Sequence, residues 1–450
     1  MDVFPPETTW GRVAAECYHV ALAPCAEYRE GYTKVSTPRG VWRMDPDVDP
    51  GSVGVDRSAL DKMEMVFAEA VEAGELCYGA QMCMHRAGKR VLDVGGGIAR
   101  LRTGRTVLPE TMFVIFSATK GLAALAMWRL HEARSCHFDE PVLKYWPEFA
   151  RLIDDKRYVT LRHVLSHRGG FPQGPSWLTP RHWNDRAAIA SAMEEAPLLW
   201  FPGEKNGYHS MNFGHVVNEL SLRIDGRSCG QLLREEVFEP LGLRDIYMGL
   251  DDDPALEERV AWVAAREVGG SAAEAAGVGV GGRNQALHAA RAGAVVPEDV
   301  PERYRATPEL AHPMNRPEIH RAVLPAGGAI ATARDLSAVY SVLSLGGTRG
   351  EVRLLRRESL EHAATPTNRS GEIDETLRFP IRWGTGWHLG GFGRGGSLRT
   401  FGHGGAGGQV AFADRDRGFS FAFTTTGQRG AGYLPWRMQL QELAFSACRP

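Results

Sequence analysis

The sequence predicts a mixed α/β (α+β) protein in which strands from both ends of the chain form one antiparallel sheet flanked by helices. Near the amino end, apolar residues alternate along 78–97 on either side of the turn Arg86–Lys89, which is typical of a strand pair. Near the carboxyl end, Val410–Ala413 and Phe419–Thr425 form a second pair around the turn 414–418. The pattern between the pairs is mainly helical, which favours a helical subdomain inserted between the strands.

Two helices are predicted before that insert. Asp56 precedes an amphipathic segment in which Leu60, Met63 and Phe67 recur at helical spacing. A second helix is predicted from about Ser117 to Glu132, with alanine and leucine throughout, so we expect it to be buried on most sides.

The domain boundaries follow from composition. Residues 1–55 are irregular and rich in turn formers, so we interpret them as an N-terminal extension that wraps or leads into a main domain at 56–450. A mainly helical insert is predicted at about 135–320. It contains an Ala/Gly-rich loop at about 264–295, which is a candidate lid.

Composition excludes several classes of protein. A chain that is 43% hydrophobic and 24% charged is ordinary for a globular protein, which excludes disordered and coiled-coil classes. With a net charge of −2 and no long run of like charges, we expect no nucleic-acid partner. No apolar run is long enough to span a membrane, and the N-terminus lacks a secretory signal, so we expect no membrane partner and a cytoplasmic location.

No cofactor is predicted. The seven cysteines are scattered without a CxxC pair, and the central histidines lack carboxylates or cysteines at metal-binding spacing. Gly95–Gly97 is not followed by a helix-opening dinucleotide motif. We therefore expect neither a metal nor a nucleotide cofactor.

The first chemical motif is Ser117-Ala-Thr-Lys120 at the start of the second helix. Residues three apart share a helix face, so the Lys120 amine can reach the Ser117 hydroxyl. A buried lysine has a lowered pKa, and its neutral amine can accept the serine proton. Alone, the motif also fits a helix-terminal serine followed by an ordinary lysine.

Two further motifs carry candidate groups. Tyr208 lies on a turn before an apolar helix, where a nearby lysine could stabilise its phenolate, and Ser210 could bind the substrate or the lysine. The segment 401–408, with Gly404 and Gly405, would let a substrate approach a strand closely, while His403 projects a donor. Each alone also fits a packed turn.

Together, SxxK, Tyr-x-Ser and His-Gly-Gly in this order resemble the serine β-lactamase and penicillin-binding-protein superfamily. The chain is most similar to the class C β-lactamase-like branch, which includes family VIII esterases, DD-peptidases, D-aminopeptidases and lovastatin-type acyltransferases. The connecting segments Val159–Pro172, Trp200–Gly214 and Pro325–Leu336 also resemble that branch. The resemblance covers roughly 56–430 and implies a serine β-lactamase-like fold, with the main domain as the catalytic domain.

The resemblance also implies roles. Ser117 would be the acylated nucleophile, Lys120 its general base and Tyr208 a second acid/base. The N–H groups of Ser117 and Ala406 would form the oxyanion hole.

Two departures bear on the substrate. β-Lactamases and many transpeptidases carry lysine where this chain has His403, and β-lactamases have asparagine where it has Ser210. Both differences disfavour β-lactams, although Arg394 or Arg399 could replace the missing cation. Five tryptophans are candidates to line an acyl pocket: Trp177, Trp183, Trp200, Trp383 and Trp387.

We therefore expect a serine esterase or acyltransferase acting on a small-molecule ester, with specialised metabolism as one candidate setting. Its partners would be an acyl donor and, for transfer, an amine or alcohol acceptor. The alternatives are a D-aminopeptidase- or DD-peptidase-like amidase, a β-lactamase, and a non-enzymatic scaffold of the same fold. The sequence does not indicate the oligomeric state, nor whether Ser210 or Asn212 is the polar group after Tyr208.

Overall fold

The structure is a computed structural model that describes residues 40–74, 76–264, 312–428 and 433–448. Apart from its first position, the Ala/Gly-rich loop predicted at about 264–295 lies outside the described residues, and so does the candidate lid within it. Residues 1–39 of the predicted extension also lie outside them.

The main sheet is antiparallel and joins strands from both ends of the chain, as predicted. Its strand order is β1-β3-β2-β14-β13-β12-β11-β10, with β4 paired to the far end of β3. A three-stranded sheet has the order β5-β7-β6, and β8 pairs with β9. The strands are β1 (Val41–Arg43), β2 (Gly79–Arg86), β3 (Lys89–Arg100), β4 (Arg105–Thr106), β5 (Phe113–Val114), β6 (Ile246–Met248), β7 (Ala329–Ala331), β8 (Thr348–Arg349), β9 (Val352–Arg353), β10 (Arg382–Trp383), β11 (His388–Leu389), β12 (Thr400–Gly404), β13 (Val410–Asp414) and β14 (Phe419–Thr425).

The α-helices of the described residues cover the sheet and form the insert. They are α1 (Arg57–Ala73), α2 (Thr119–Glu132), α3 (Leu161–Leu165), α4 (Arg186–Glu195), α5 (Asn212–Asp225), α6 (Cys229–Leu233), α7 (Pro254–Glu258), α8 (Pro317–His320), α9 (Ala333–Ser344), α10 (Arg357–Ala363) and α11 (Tyr433–Ala447). Asp56 caps α1, as its position predicts, by accepting from the N–H groups of Ser58 and Ala59. In this part of the chain, no helix has the length and apolar character needed to cross a membrane.

The predicted boundary at residue 55 lies inside the fold. Strand β1 pairs with β3, with Trp42 opposite Gly95, and Val55 is buried in the core and forms an isolated bridge with Cys448. Residues 41–55 therefore belong to the main sheet and its core rather than to a separate extension. Their irregular sequence concealed this because a strand of three residues leaves almost no alternation pattern.

Both faces of the main sheet are covered. On one face, α1 and α11 pack together over the phenylalanines of β14, where Phe67 lies between Phe423 and Trp436. On the other face, α9 packs against β2, β13 and β14. Since side chains alternate along a strand, Phe421 and Phe423 face the first layer while Ala422 faces the second.

Helix α2 forms the centre of the second core. Trp128 is completely buried there, and the helix contacts α5 and α6 of the insert on one side and β12 on the other. The amino end of α2 is therefore held where the helical insert meets the main sheet.

Candidate active site

Ser117, the predicted nucleophile, lies on a 3-10 turn, Phe116–Ala118, that leads directly into α2. The helix predicted from Ser117 thus begins two residues later, but Lys120 still reaches the serine. The main chain at Phe116 has a φ of +45°, a left-handed conformation that is uncommon outside glycine. Such strained residues concentrate at functional sites, where the surrounding structure holds them in place.

Lys120 is completely buried beneath this turn. Its Nζ lies 3.2 Å from Ser117 Oγ and donates to the carbonyl of Ala326 at 2.8 Å. Burial lowers the pKa of Lys120 well below its usual value, since the charged form loses its solvation. In the neutral amine, one N–H satisfies Ala326 and the lone pair is available to the Ser117 proton.

Tyr208 completes this group. Its side chain is buried on the loop before α5 and is hydrogen-bonded to Ser117, while Lys120 Nζ lies 4.8 Å from the centre of its ring. The ring stacks on Trp383, with centroids 5.8 Å apart and planes 11° apart. The structure therefore brings Ser117, Lys120 and Tyr208 together, as the motifs predict.

The surroundings of Tyr208 disfavour the phenolate form that a nearby lysine could stabilise. Burial raises the pKa of the Tyr208 hydroxyl above its usual value, and the negative charge of Asp374 raises it further. The hydrogen bond with Ser117 lowers it only in part. Lys120 Nζ lies 4.8 Å from the centre of the ring, and the raised pKa favours the protonated phenol.

His403, on β12, is neutral. Burial lowers its pKa to about 3, and its Nδ1 lies 2.7 Å from the carbonyl oxygen of Gly404. Because a carbonyl can only accept, Nδ1 carries the proton, and the buried Nε2 presents a lone pair that has no hydrogen-bond partner among the described residues. The sequence-based expectation that His403 offers a donor is corrected, since its free nitrogen is an acceptor.

The glycines after His403 form a tight turn against the residues that precede Ser117. The N–H of Gly405 donates to the carbonyl of Gln409, and that of Gly408 donates back to Gly405. A Cβ on Gly405 would lie 2.5 Å from the carbonyl oxygen of Ile115, so only glycine allows this approach. The turn that contains Ala406 therefore rests on the two residues that precede Ser117.

Gln409 fixes the same turn from behind. Its completely buried side chain donates from Nε2 to the carbonyls of Val114 at 3.1 Å and Thr425 at 2.9 Å. Tyr433 holds the end of the turn by donating to the carbonyl of Gly408 at 2.9 Å. The main-chain position of Ala406 is thus set by β5, β14 and α11 together.

The structure separates Ser210 from Asn212. The Asn212 amide is buried and donates to the carbonyl of Phe171 at 2.8 Å, which ties α5 to the loop after α3. Ser210 is half-buried on the turn between Tyr208 and α5. Asn212 is therefore occupied by the main chain, and Ser210 remains the candidate for a polar contact with substrate.

The predicted arginine anchors lie elsewhere. Arg394 is 93% exposed and pairs with Glu442 on α11, while Arg399 pairs with Asp416 in the turn after β13. Both guanidinium groups are thus neutralised on the surface. The expectation that one of them replaces the missing lysine is wrong.

Among the five tryptophans, Trp383 lies in the site, with its ring 5.8 Å from those of Tyr208 and His403. Trp387 is completely buried in the core against Phe401. Trp177 is 39% exposed and donates to Glu195. The prediction that Trp387 and Trp177 line an acyl pocket is therefore wrong.

Two neighbours of Tyr208 were not predicted as site residues. His167, which is buried with a positive φ, has its ring centroid 4.7 Å from Tyr208 and accepts the N–H of His209 at Nδ1. Asp374 accepts the N–H of Tyr208 itself. His167 lies within the segment 159–172 that carries the resemblance, which could have indicated it, whereas no motif surrounds Asp374.

The assembled site contains a hydroxyl, a neutral amine, a phenol and a neutral imidazole. The amine, the phenol and the imidazole are buried beside the half-buried hydroxyl, and a buried setting strengthens hydrogen bonds among such groups. A family model for Beta-lactamase matches residues 67–443, which is most of the chain. The chain belongs to the Beta-lactamase family.

Relatives of this Beta-lactamase family member include esterases. Esterase/beta-lactamase LipL of Mycobacterium tuberculosis (strain ATCC 25618 / H37Rv) is 28% identical over 352 residues, which cover 76% of each chain. Esterase EstB of Burkholderia gladioli is 28% identical over 217 residues, or 44% of this chain and 54% of EstB.

Solved structures agree with the fold. A penicillin-binding protein homologue from Caulobacter crescentus superposes with a TM-score of 0.70 at 29% identity, over 88% of this chain and 99% of its own. A family VIII carboxylesterase has the same TM-score at 26% identity and the same coverage. The β-lactamase-like fold and the family resemblance are thereby confirmed, and the family member is a serine hydrolase.

Proposed function

We propose that this protein is a serine esterase or acyltransferase that works through an acyl-enzyme on Ser117. The observation that carries the proposal is the contact between Ser117 Oγ and the buried, neutral amine of Lys120. The relatives LipL and EstB support an ester substrate, because both are named as esterases.

In acylation, Ser117 Oγ attacks the ester carbonyl carbon while its proton passes to Lys120 Nζ. The N–H groups of Ser117 and Ala406 stabilise the oxyanion. When the carbon–oxygen bond breaks, the leaving alkoxide takes the proton of the Tyr208 hydroxyl, and Tyr208 is reprotonated by the Lys120 ammonium. Both groups thus return to their resting states.

Deacylation reverses these roles. Tyr208 and Lys120 accept the proton of the incoming nucleophile as it attacks the acyl carbon, and the proton then returns to Ser117 Oγ as the acyl bond breaks. Water gives a carboxylic acid, whereas an alcohol or amine gives an ester or amide. The His403 Nε2 lone pair can accept a hydrogen bond from such a nucleophile.

The site favours uncharged acyl groups. Lys120, His167 and His403 all have lowered pKa values because of burial, and both proposed arginine anchors are paired on the surface. A carboxylate in the acyl group would lose its hydration without gaining a cationic partner. This opposes β-lactams, whose carboxylate stays in the acyl-enzyme. DD-peptidase substrates carry their carboxylate on the leaving amino acid instead, and they would need a cation on that side of the site.

We therefore expect p-nitrophenyl butyrate to exceed p-nitrophenyl hemisuccinate in kcat/KM by about tenfold or more, because an unpaired carboxylate is costly to bury. The two acyl chains have equal length, so the pair isolates the charge. Steady-state release of p-nitrophenol measures kcat/KM for both esters. Equal values would contradict the uncharged specificity proposed here.

The pH profile of kcat/KM tests the protonation states. We expect activity to rise with pH as the Lys120 ammonium loses its proton, far below the ordinary lysine pKa of 10.5. It should then stay level beyond the ordinary tyrosine pKa of 10.0, because Tyr208 must remain protonated and its pKa is raised. The neighbouring His403 titrates at about 3 and stays neutral throughout. A rise only near 10.5 would contradict a neutral resting Lys120.

Intact-protein mass spectrometry with short p-nitrophenyl esters, with and without an added amine, tests the reaction class. An adduct on Ser117 that the amine discharges faster than water supports acyl transfer, and discharge by water alone supports an esterase. Ser117→Ala is the matched control for adventitious acylation. A protein that forms no adduct with any ester or with a phosphonate would contradict the proposal and favour the non-enzymatic scaffold.

A further inference from the structure

Asp374 is a completely buried carboxylate on the segment between α10 and β10. Its Oδ1 accepts three main-chain N–H groups, from Tyr208, Thr376 and Leu377, each at 2.9 Å. Its Oδ2 accepts the indole Nε1–H of Trp383 at 3.3 Å. All four donors belong to neutral groups, so within the described part of the chain the carboxylate is stabilised by hydrogen bonds.

Two of these hydrogen bonds help to position the aromatic ring of Tyr208. One holds the main chain of Tyr208 directly, and the other holds Trp383, whose indole stacks on the Tyr208 ring with planes 11° apart. The remaining two fix the turn that carries Asp374. A single carboxylate thus sets both the backbone and one face of Tyr208.

The same segment is anchored to the Tyr208 loop independently. The N–H of Glu375 donates to the carbonyl of Asn206, two residues before Tyr208. Asn206 is completely buried, so the acceptor side of this hydrogen bond is shielded from solvent. Asp374 is therefore held at a defined position against the loop rather than on a free surface turn.

We propose that Asp374 is a positioning residue that holds the Tyr208 hydroxyl at Ser117, and this rests on the acid/base role proposed for Tyr208. Aromatic packing alone leaves the ring free to slide in its plane, because stacked rings have no directional contact along it. The hydrogen bond to the Tyr208 N–H and the fixed indole remove that freedom. A displacement of about 1 Å at a reacting group costs on the order of 10²-fold in rate.

A double-mutant cycle in the full chain tests this inference. The acylation rate and KM for ethyl butyrate, whose alkoxide leaving group needs the Tyr208 proton, are measured for Asp374→Ala, Asp374→Asn, Tyr208→Phe and both double variants. We expect Asp374→Ala to slow acylation about 10²-fold with KM within about twofold, because it misplaces the acid without touching substrate. Asp374→Asn keeps an Oδ1 acceptor for the three main-chain N–H groups, so we expect a loss of only about tenfold.

The decisive result is the effect of each Asp374 substitution in the Tyr208→Phe background. If Asp374 acts through the Tyr208 hydroxyl, removing that hydroxyl leaves nothing to misplace, and each double variant acylates at the rate of Tyr208→Phe within about twofold. A purely structural carboxylate would instead multiply the two losses, which would overturn the inference. If Asp374→Ala does not fold, the cycle with Asp374→Asn decides on the same criterion.

Asp414→Asn is the matched control. Asp414 is also a completely buried carboxylate that caps a turn, where it accepts from Thr400 and from the N–H of Arg417. It lies opposite Thr400, at the end of the β12–β13 pair remote from Gly404. We expect it to lower stability without changing acylation, and an equal rate loss in both asparagine variants would overturn the inference. If Tyr208→Phe acylates at the wild-type rate, the acid/base role proposed for Tyr208 is refuted. That result is distinct from the outcomes that test Asp374.

Discussion

Ser117→Ala is expected to lower turnover of p-nitrophenyl esters by about four orders of magnitude or more, because the acyl-enzyme can no longer form. The variant should also form no adduct with a serine-reactive phosphonate. Only the hydroxyl of a half-buried residue is removed, so the fold and the Lys120 contact with Ala326 should persist. Intact-protein mass measures the adduct, and a thermal melt confirms the fold.

Ser344→Ala is a suitable control for this experiment. Ser344 is a buried serine at the end of α9 that donates to the carbonyl of Ser341 at 2.8 Å. Its substitution should cost about 1 kcal/mol of stability and leave phosphonate labelling unchanged. Labelling of Ser117→Ala at the wild-type rate would show that the nucleophile is a different residue.

Lys120→Met is expected to slow acylation by about 10³-fold, since general-base catalysis contributes roughly 10²–10⁴. Methionine is apolar and similar in length, so it fills the same buried space while removing the amine. Lys120→Arg should be equally slow, because a guanidinium stays charged and cannot accept the Ser117 proton. Stopped-flow measurement of the p-nitrophenol burst gives the acylation rate directly.

Lys156 provides a close comparison. It is also completely buried, its Nζ donates to the carbonyls of Met193 and Glu194, and burial lowers its pKa to about 8. Lys156→Met should lower stability by about 1–3 kcal/mol, because two buried acceptors lose their donor, while the burst rate is unchanged. A normal burst in Lys120→Met would exclude Lys120 as the base.

Local patterns predicted the parts of the fold and site that depend on nearby residues. The spacing of Ser117 and Lys120 placed an amine beside a hydroxyl, although the helix starts at Thr119, because a 3-10 turn still sets residues i and i+3 on one side. The alternation around 414–418 located β13 and β14.

Local sequence patterns could not predict contacts between segments that are distant in the chain. Asp374 meets Tyr208 across 166 residues, and nothing near it in sequence marks it. The prediction that His403 presents a donor was wrong because sequence does not show which ring nitrogen carries the proton. In the structure the Gly404 carbonyl accepts from Nδ1, which leaves Nε2 as an acceptor. The prediction that Arg394 or Arg399 anchors a substrate carboxylate was wrong for a similar reason. The fold brings Glu442 and Asp416 close to them, and each arginine pairs with one of these carboxylates.

The position of β14 between β2 and β13 has a consequence for biosynthesis. Until the ribosome has released β14, the hairpin of β2 and β3 has no partner along β2, and its edge is open to pairing with other chains. The turn that contains Ala406 is likewise unsupported, since Gln409 donates to the carbonyl of Thr425 in that late strand. The nascent protein therefore carries Ser117, the proposed nucleophile, for more than half of its synthesis before the turn that contains Ala406 is supported.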